Sequence, residues 1–246
     1  MKIAFRAKVE KIAGNRQASE DRYRVNKGRT IVALSDGASE SYNSRIWAGI
    51  LCQLVVSDKI PDHSMVLKAI DQYHQYDKHA PENLSWSQEG AFKRGSFATL
   101  LAIKHTTDKQ TCHVFAAGDS VVVFCDDRNP VKRFPLAKAE EFDANPELLS
   151  TRDGDNDFLD SPSFKKNHWL SQPVSNNTIA LLMTDALGQW CYRSIEEERD
   201  EWHFLLDVTD KTEFRSFVLK ARAEKRMKID DTTLIRLSFA NEISAS

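Results

Sequence analysis

Six short runs of β-branched and apolar residues along the chain predict β-strands. In the last run the side chains alternate, so that Thr232, Leu234 and Arg236 share one face of the strand. The runs cover residues 30–35, 97–104, 111–116, 121–125, 178–183 and 232–239.

Three other segments repeat their apolar residues at helical spacing and predict amphipathic helices. They cover residues 46–55, 65–73 and 214–221. We expect Ser44 and Ser64 to be the N-caps of the first two helices. The strands occur in hairpin-like pairs with helices between other pairs, so the order predicts an α+β fold and not a regular βαβ alternation.

Glycine and proline are sparse, with 9 and 7 residues, and no linker rich in them divides the chain. We therefore predict one domain over residues 1–246. A chain of this length buries most of its apolar surface without disulfides or structural metals. Its four cysteines show no C-x-x-C spacing, and we expect buried free thiols at Cys52, Cys112, Cys125 and Cys191.

The charges along the chain nearly balance, since 34 basic and 36 acidic side chains leave a net charge of -2. A chain this close to neutral has no broad field to attract nucleic acid or an anionic membrane, so we expect neither as a partner. No apolar run approaches the roughly 18 residues that a membrane span requires. We expect a cytoplasmic protein, in which a phosphate-bearing partner is held by a local site.

Two local patterns resemble functional motifs but lack an essential residue. The segment from Gly37 to Ser41 has the strand-turn-helix setting of a hydrolase nucleophile elbow, but Ser41 stands where the elbow has glycine. An acidic run from Asp153 resembles a calcium loop, but Phe158 occupies the required glycine position. A basic stretch is interpreted as the solvated face of a helix ending near residue 228, and comprises Lys220, Arg222, Lys225, Arg226 and Lys228.

Acidic residues stand at several strand ends and turns. Asp36 and Asp185 each follow an apolar strand, Asp119 lies in a turn between two strands, and Asp230 precedes the last strand. Together with Glu20-Asp21 near the start, they suggest a convergent cluster. Carboxylates without counter-ions repel one another, so such a cluster usually holds hard cations. Oxygen-only ligands favour Mg²⁺ or Mn²⁺ over zinc.

Six short motifs resemble, in order and approximate spacing, those of the metal-dependent protein phosphatase 2C family. They are Arg16-x-x-x-Glu20-Asp21, Ser35-Asp36-Gly37, Gly95-Ser96-Phe97-Ala98-Thr99, Ala117-Gly118-Asp119-Ser120, Met183-Thr184-Asp185-Ala186-Leu187 and Asp230-Asp231-Thr232-Thr233. The resemblance runs from about residue 10 to residue 240. It implies a four-layer α-β-β-α sandwich of two antiparallel sheets, with a two-metal site at one end.

The resemblance also implies a role for individual residues. Asp36 would bridge two Mn²⁺ or Mg²⁺ ions, and the carbonyl of Gly37 would complete one coordination shell. The other implied roles are the second metal for Glu20, the first metal for Asp185 and Asp230, a weaker third-metal site for Asp119 with Asp185, the substrate phosphate for Arg16 and the attacking water for Asp21.

The implied function is hydrolysis of phosphoserine and phosphothreonine in proteins by a water that two metal ions activate. A phosphorylated protein and a cognate kinase are the implied partners. The chain departs from most family members after Asp36-Gly37, at Ala186, and in the segment 134–157. Two alternatives therefore stay open: a phosphatase-like module with little or no activity that binds a phosphoprotein or kinase, and a serine hydrolase using Ser39.

Overall fold

A computed structural model describes residues 1–12, 14–15, 18–57, 61–77 and 86–239. The described residues form twelve β-strands: β1 Lys2–Val9, β2 Arg22–Val25, β3 Ile31–Ser35, β4 Phe97–Ala98, β5 Leu100–Thr106, β6 Thr111–Ala117, β7 Val121–Asp126, β8 Asn129–Phe134, β9 Leu149–Ser150, β10 Trp169–Pro173, β11 Thr178–Met183 and β12 Thr232–Ser238. Seven α-helices accompany them: α1 Ser44–Val56, α2 His63–Asp77, α3 Trp86–Arg94, α4 Pro162–Asn167, α5 Asp185–Glu196, α6 Phe204–Asp207 and α7 Lys211–Ala223.

The larger strands form two five-stranded antiparallel sheets. The first sheet has the order β1-β12-β11-β7-β8, and the second has the order β10-β6-β5-β3-β2. A two-stranded ladder of β4 and β9 lies apart from them. This arrangement confirms the predicted α+β class with two antiparallel sheets.

Alternating side chains give the two sheets a shared core and two outer faces. Val32 and Leu34 of β3 pack with Val122 and Phe124 of β7 between the sheets. The other faces of the sheets are covered by helices, α1 and α2 on the second sheet and α5, α6 and α7 on the first. The four layers expected from the sequence are therefore present, and all four cysteines are buried free thiols as predicted.

Several element boundaries differ from the predictions. The run 97–104 is divided at Thr99 into β4 and β5. The N-cap predictions are wrong: Ser44 is the first residue of α1, whereas the carboxylate of Asp62 accepts a hydrogen bond from Met65 N at the start of α2, 2.8 Å away. In the ranges that the structure describes, no helix is long and apolar enough to cross a membrane.

Strand register brings the ends of five strands to one end of the sandwich. Met183, the last residue of β11, pairs with Val121 at the start of β7 and with Leu234 near the start of β12. In the second sheet, Ser35 ends β3 opposite Arg22, the first residue of β2. The residues that follow or precede these strand ends must therefore meet, as the acidic positions in the sequence suggested.

Candidate metal centre

A cavity of about 230 Å³ opens at this end of the sandwich. Four carboxylates from four different chain segments line it, namely Asp36, Asp119, Asp185 and Asp230. The remaining lining residues are Gly37, Ala38, Ser39, Thr99, Pro146, Leu148 and Lys228. The fold thus brings together the four aspartates that the sequence singled out at strand ends.

Thr99 holds two of these acidic segments in place. Its hydroxyl accepts a hydrogen bond from Asp36 N at 2.9 Å, and its own N–H donates to Asp36 O at 2.8 Å. The same hydroxyl lies 2.7 Å from that of Ser120, beside Asp119. The break between β4 and β5 therefore directs the buried side chain of Thr99 toward the end of β3.

Two glycines allow the close approaches that the cavity needs. A Cβ on Gly37 would lie 2.9 Å from the backbone of Ser44, so only glycine lets the end of β3 pass the first turn of α1. Gly118, with φ +88°, makes the tight turn that carries Asp119, and a Cβ there would lie 2.7 Å from Thr99. Both belong to the motifs that the sequence analysis quoted.

Asp21 lies behind the cavity and is 1% exposed. The hydroxyl of Thr233 donates to its carboxylate, and that of Thr184 does so at 3.3 Å. Thr184 also accepts from Thr233 N at 3.0 Å, which joins the start of α5 to the start of β12. These threonines fix Asp21 and Asp185 relative to each other, a role the sequence alone did not suggest for them.

Glu20 lies beside the cavity and does not line it. Its carboxylate accepts hydrogen bonds from Ser39 Oγ at 2.8 Å and Ser44 Oγ at 3.0 Å. Asp231, next to the cavity residue Asp230, accepts from Glu20 N at 2.7 Å and from Lys11 N at 2.9 Å. Asp231 therefore organises the loop that carries Glu20.

Burial and mutual repulsion raise the pKa values of the acidic cluster. Burial, followed by the charges of Asp21 and Asp185, raises the pKa of Asp36 well above its ordinary value. Burial raises the pKa of Asp21 to about 7 and that of Asp119 to about 6. The pKa of Asp230 is also raised, by burial and then by Asp185. The metal-free site therefore retains protons at pH values where free carboxylates have lost them.

We expect the metal-free protein to lose stability as the pH rises from about 5 to 7.5. A raised pKa means that the folded state holds a proton that the unfolded chain has already released, so stability falls until the pH passes the folded pKa. One such proton gives about 1 to 3 kcal/mol over this range. Urea unfolding of metal-stripped protein at several pH values measures the slope, which Asp36→Asn should flatten. A flat or rising profile in the wild type would contradict the raised pKa values.

Two lysines neutralise part of the acidic cluster. Lys228 Nζ lies 2.7 Å from Asp185 Oδ2 and 3.7 Å from Asp230 Oδ2, and Lys11 Nζ lies 3.0 Å from Glu20 Oε2. The interpretation of the basic stretch as one solvated helix face is therefore wrong. Helix α7 ends at Ala223, and the buried guanidinium of Arg222 donates to the carbonyl of Glu10. Lys228 belongs to the cavity because the turn after α7 directs it there.

The residues of the cavity fit a divalent metal ion. Asp21 Oδ1 and Asp185 Oδ1 are buried, and in the described part of the chain neither has a hydrogen-bond partner. A cation offsets the cost of burying such oxygens, and an oxygen-only donor set suits Mg²⁺ or Mn²⁺. As they stand, no three acidic, histidine or cysteine side chains among the described residues are close enough to hold an ion. To hold an ion, the carboxylates would have to draw together and Lys228 would have to withdraw from Asp185.

We expect Lys228→Met to bind Mn²⁺ about tenfold more tightly than the wild type, a gain of about 1.4 kcal/mol. The ammonium group of Lys228 competes with the ion for Asp185. Its side chain is 57% exposed and can swing away, so removing it should raise the affinity less than removing a fully buried charge would. Isothermal titration calorimetry measures the affinity. Lys225→Met, which removes an exposed charge from the same basic stretch, is the control, and equal affinities in all three proteins would contradict the competition.

The structure places most, but not all, of the predicted site residues. Asp36, Gly37, Asp119, Asp185 and Asp230 line one cavity, with Asp21 and Glu20 adjacent to it. Arg16, the predicted phosphate ligand, lies outside the described residues. Sequence reasoning missed Lys11, Lys228 and the positioning role of Asp231, since nothing in their local pattern distinguishes them.

Comparison with known proteins shows similarity in structure alone. No protein-family model matches the sequence, and no curated protein matches it. The X-ray structure of the photosystem II phosphatase PBCP has 11% identity and a TM-score of 0.57, with 96% of this chain and 98% of that chain covered. The catalytic domain of the serine threonine protein phosphatase PstP, in complex with 2 manganese ions, has 13% identity and a TM-score of 0.57, with 96% and 98% covered.

A third similar structure is the serine/threonine phosphatase Stp1 from Staphylococcus aureus. It has 15% identity and a TM-score of 0.59, with 98% of this chain and 96% of that chain covered. Because the alignments span both chains almost completely, the likeness concerns the whole fold and not a shared fragment. At these identities the likeness is one of fold.

Proposed function

We propose that this chain, which has the fold of the PP2C-type serine/threonine phosphatases, is itself a metal-dependent phosphatase for phosphoserine and phosphothreonine in proteins. The observation that carries the proposal is the cavity in which Asp36, Asp119, Asp185 and Asp230 converge at one end of the sandwich. We further propose a cytoplasmic protein that opposes a cognate kinase.

Each acidic residue has a place in the proposed site. Asp185 and Asp230 would hold one Mn²⁺ or Mg²⁺ ion, Glu20 a second, and Asp36 both, with the carbonyl of Gly37 as a further ligand. Asp119 with Asp185 would hold a weaker third ion. Bound ions of this kind lower the pKa of water and neutralise charge on the phosphoryl oxygens.

The chain's own residues position the reactants. Asp21, whose carboxyl group is in contact with that of Asp36, would orient the attacking water. Arg16 would bind two phosphate oxygens with its planar fork. No side chain needs to attack the phosphorus, since water is the nucleophile in this scheme.

The alternative of a binding module draws support from the two lysines. Lys228 and Lys11 already satisfy Asp185 and Glu20 with ion pairs of 2.7 and 3.0 Å. If these pairs persisted in the presence of metal, the fold would still present a phosphate-sized cavity without turnover. Metal affinity and turnover together therefore separate the two functions.

A serine hydrolase using Ser39 is the weaker alternative. The Ser39 hydroxyl is hydrogen-bonded by Lys11 Nζ and donates to Glu20, and no described histidine contacts it. Burial lowers the pKa of Lys11, but its hydrogen bond and charge interaction with Glu20 outweigh this and raise it overall. A lysine that keeps its proton is a poor general base, so Ser39 lacks an activating partner.

We expect the purified protein with Mn²⁺ to release inorganic phosphate from phosphoserine and phosphothreonine peptides, and Ser39→Ala to keep at least about half of that rate. A carboxylic ester of similar size should not be hydrolysed. If Ser39→Ala lost hydrolysis of both the carboxylic ester and the phosphopeptide, Ser39 would be the nucleophile and the serine hydrolase would be the correct function. Tight Mn²⁺ binding without any phosphate release would favour the binding module.

A further inference from the structure

Two cavities lie side by side between the edge strands β1 and β2. One of about 550 Å³ is lined by Ile3, Ala4, Phe5, Arg6, Val25, Asn26, Lys27, Arg29, Thr209 and Lys211. The other, of about 360 Å³, is lined by Arg6, Lys8, Asp21, Arg22, Tyr23, Arg24 and Val25. Because Arg6 and Val25 line both, the two cavities adjoin, and together they are here called the edge groove.

The edge groove concentrates positive charge on a chain whose net charge is -2. Seven cations line it, and they are Arg6, Lys8, Arg22, Arg24, Lys27, Arg29 and Lys211. The only acidic residue in the lining is Asp21, which is buried. Field lines focus in such a one-signed groove, which therefore attracts anionic groups.

The cations of the groove are not engaged by acidic side chains of the chain itself. Arg24, Lys27 and Arg29 are exposed, and no ion pair to them occurs among the described residues. Arg6 lies 5.4 Å from the ring of Tyr23, and Lys8 donates to the backbone carbonyl of Asp21 at 2.8 Å. Lys8 and Arg22 already donate to backbone carbonyls, so Arg24, Lys27 and Arg29 are the groove cations available to an outside anion.

Cations on edge strands often serve only to prevent strand pairing between molecules. The opposite edge of the first sheet shows that simpler case, because Arg133 of β8 is paired with Glu196 at 2.7 Å. The β1 and β2 edges differ, since Arg24, Lys27 and Arg29 have no acidic partner among the described residues. Among the described strands, β1 pairs only with β12 and β2 only with β3, so each has one side without a partner strand there.

One end of the edge groove lies beside the candidate metal centre. Lys8 pairs with Thr233 in the sheet and Arg22 with Ser35, beside Asp21 and Asp36. The other end lies near Ile3 and Val25, which pair with Leu237 and Val32 at the far end of the sandwich. An extended chain leaving the cavity could therefore follow the groove along the whole side of the sandwich.

We infer that the edge groove binds an acidic, extended segment of the phosphoprotein substrate, adjacent in sequence to the residue that is dephosphorylated. The inference rests on the proposed function and adds to it the class of substrate. Carboxylates of the segment would meet the free cations, while its backbone would lie against the unpaired edges, as in strand addition. The chain would then prefer phosphorylated sites with acidic flanks.

The first test measures binding without chemistry. A fluorescent, non-phosphorylated peptide of ten residues rich in Asp and Glu is titrated with the full chain, and anisotropy gives its Kd. Replacing Arg24, Lys27 and Arg29 by Gln should weaken binding about tenfold, and added salt should weaken wild-type binding as well. The matched control replaces three exposed lysines on other faces, Lys68, Lys132 and Lys166, by Gln and should stay within about twofold of wild type.

The second test separates the groove from the reaction. With Mn²⁺, the groove variant should raise KM for an acidic-flanked phosphopeptide about tenfold and leave turnover of a small aryl phosphate unchanged. If the aryl phosphate is hydrolysed but all three proteins bind the peptide equally well, the inferred role of the edge groove is wrong and the proposed function stands. If peptide binding depends on the groove but neither substrate is hydrolysed, the binding role of the edge groove is supported and the proposed phosphatase activity is rejected. Tighter binding of a single-stranded oligonucleotide than of the peptide would also overturn the inference.

Discussion

Asp36→Asn is expected to leave less than about a tenth of wild-type turnover on a phosphopeptide under saturating Mn²⁺. Asp36 is the proposed bridge between two ions, so a neutral amide weakens both at once. It also removes the carboxyl group in contact with Asp21, whose charge and hydrogen bond help to raise the pKa of Asp36. Among the described residues of the site, no other position combines both roles.

The same substitution should not lower stability. The contacts that place residue 36 run through its backbone, with its N–H bonded to Thr99 Oγ1 at 2.9 Å and its carbonyl accepting from Thr99 N at 2.8 Å. Asparagine keeps both bonds and removes a buried acid that neighbouring carboxylates repel. In metal-free protein at pH 7.5, we expect the Tm of Asp36→Asn to equal or exceed that of the wild type.

Asp157→Asn is a suitable control, since Asp157 is exposed and lies in the acidic run that lacks a calcium loop's glycine. It should change neither turnover nor Tm. Retention of more than about a tenth of the activity in Asp36→Asn would reject the bridging role. A large fall in its Tm would instead show that the carboxylate stabilises the metal-free fold, contrary to the repulsion argued here.

Most of the strands that the sequence predicted lie inside a sheet and are largely buried, whereas β1, β2, β8, β9 and β10 were not predicted. β11 has the predicted bounds, because a continuous apolar run with only Thr178 at its start matches a central strand covered on both sides. β1 and β2 were not predicted, since Lys2, Arg6, Arg22 and Arg24 interrupt their apolar residues. Edge strands often carry cations. Of the cations that make β1 and β2 hard to recognise in the sequence, Arg6, Arg22 and Arg24 also line the edge groove.

The acidic cluster was predictable because each member stands next to a recognisable strand. The register of the sheets then brings Asp36, Asp119, Asp185 and Asp230 together. Lys228 was not predictable, because its contact with Asp185 joins positions 43 residues apart through a turn without a sequence pattern. The bond from Glu20 N to Asp231 spans 211 residues, which local reasoning does not reach.

Removal of divalent metal is expected to abolish phosphopeptide turnover, and Mn²⁺ should restore it at lower concentration than Mg²⁺. The cavity offers carboxylate and carbonyl oxygens without described histidine or cysteine, a donor set that binds hard cations weakly. Lys228 weakens binding further, because it must leave Asp185 before an ion takes its place. Mn²⁺ stands above Mg²⁺ in affinity for such a site and sheds water more readily, so it should fill the site first.

The measurement pairs turnover with calorimetry on chelator-stripped protein. Two Mn²⁺ ions should bind, release protons from the acidic cluster, and restore activity in proportion to occupancy, since the raised pKa values mean that ions displace protons there. The number of protons released should fall as the pH rises from 6 to 8, because fewer carboxyl groups are then protonated. Full turnover after exhaustive chelation would exclude the metal mechanism and return Ser39 to consideration. Two bound ions without turnover, in wild type and Lys228→Met alike, would establish a phosphatase fold used for binding.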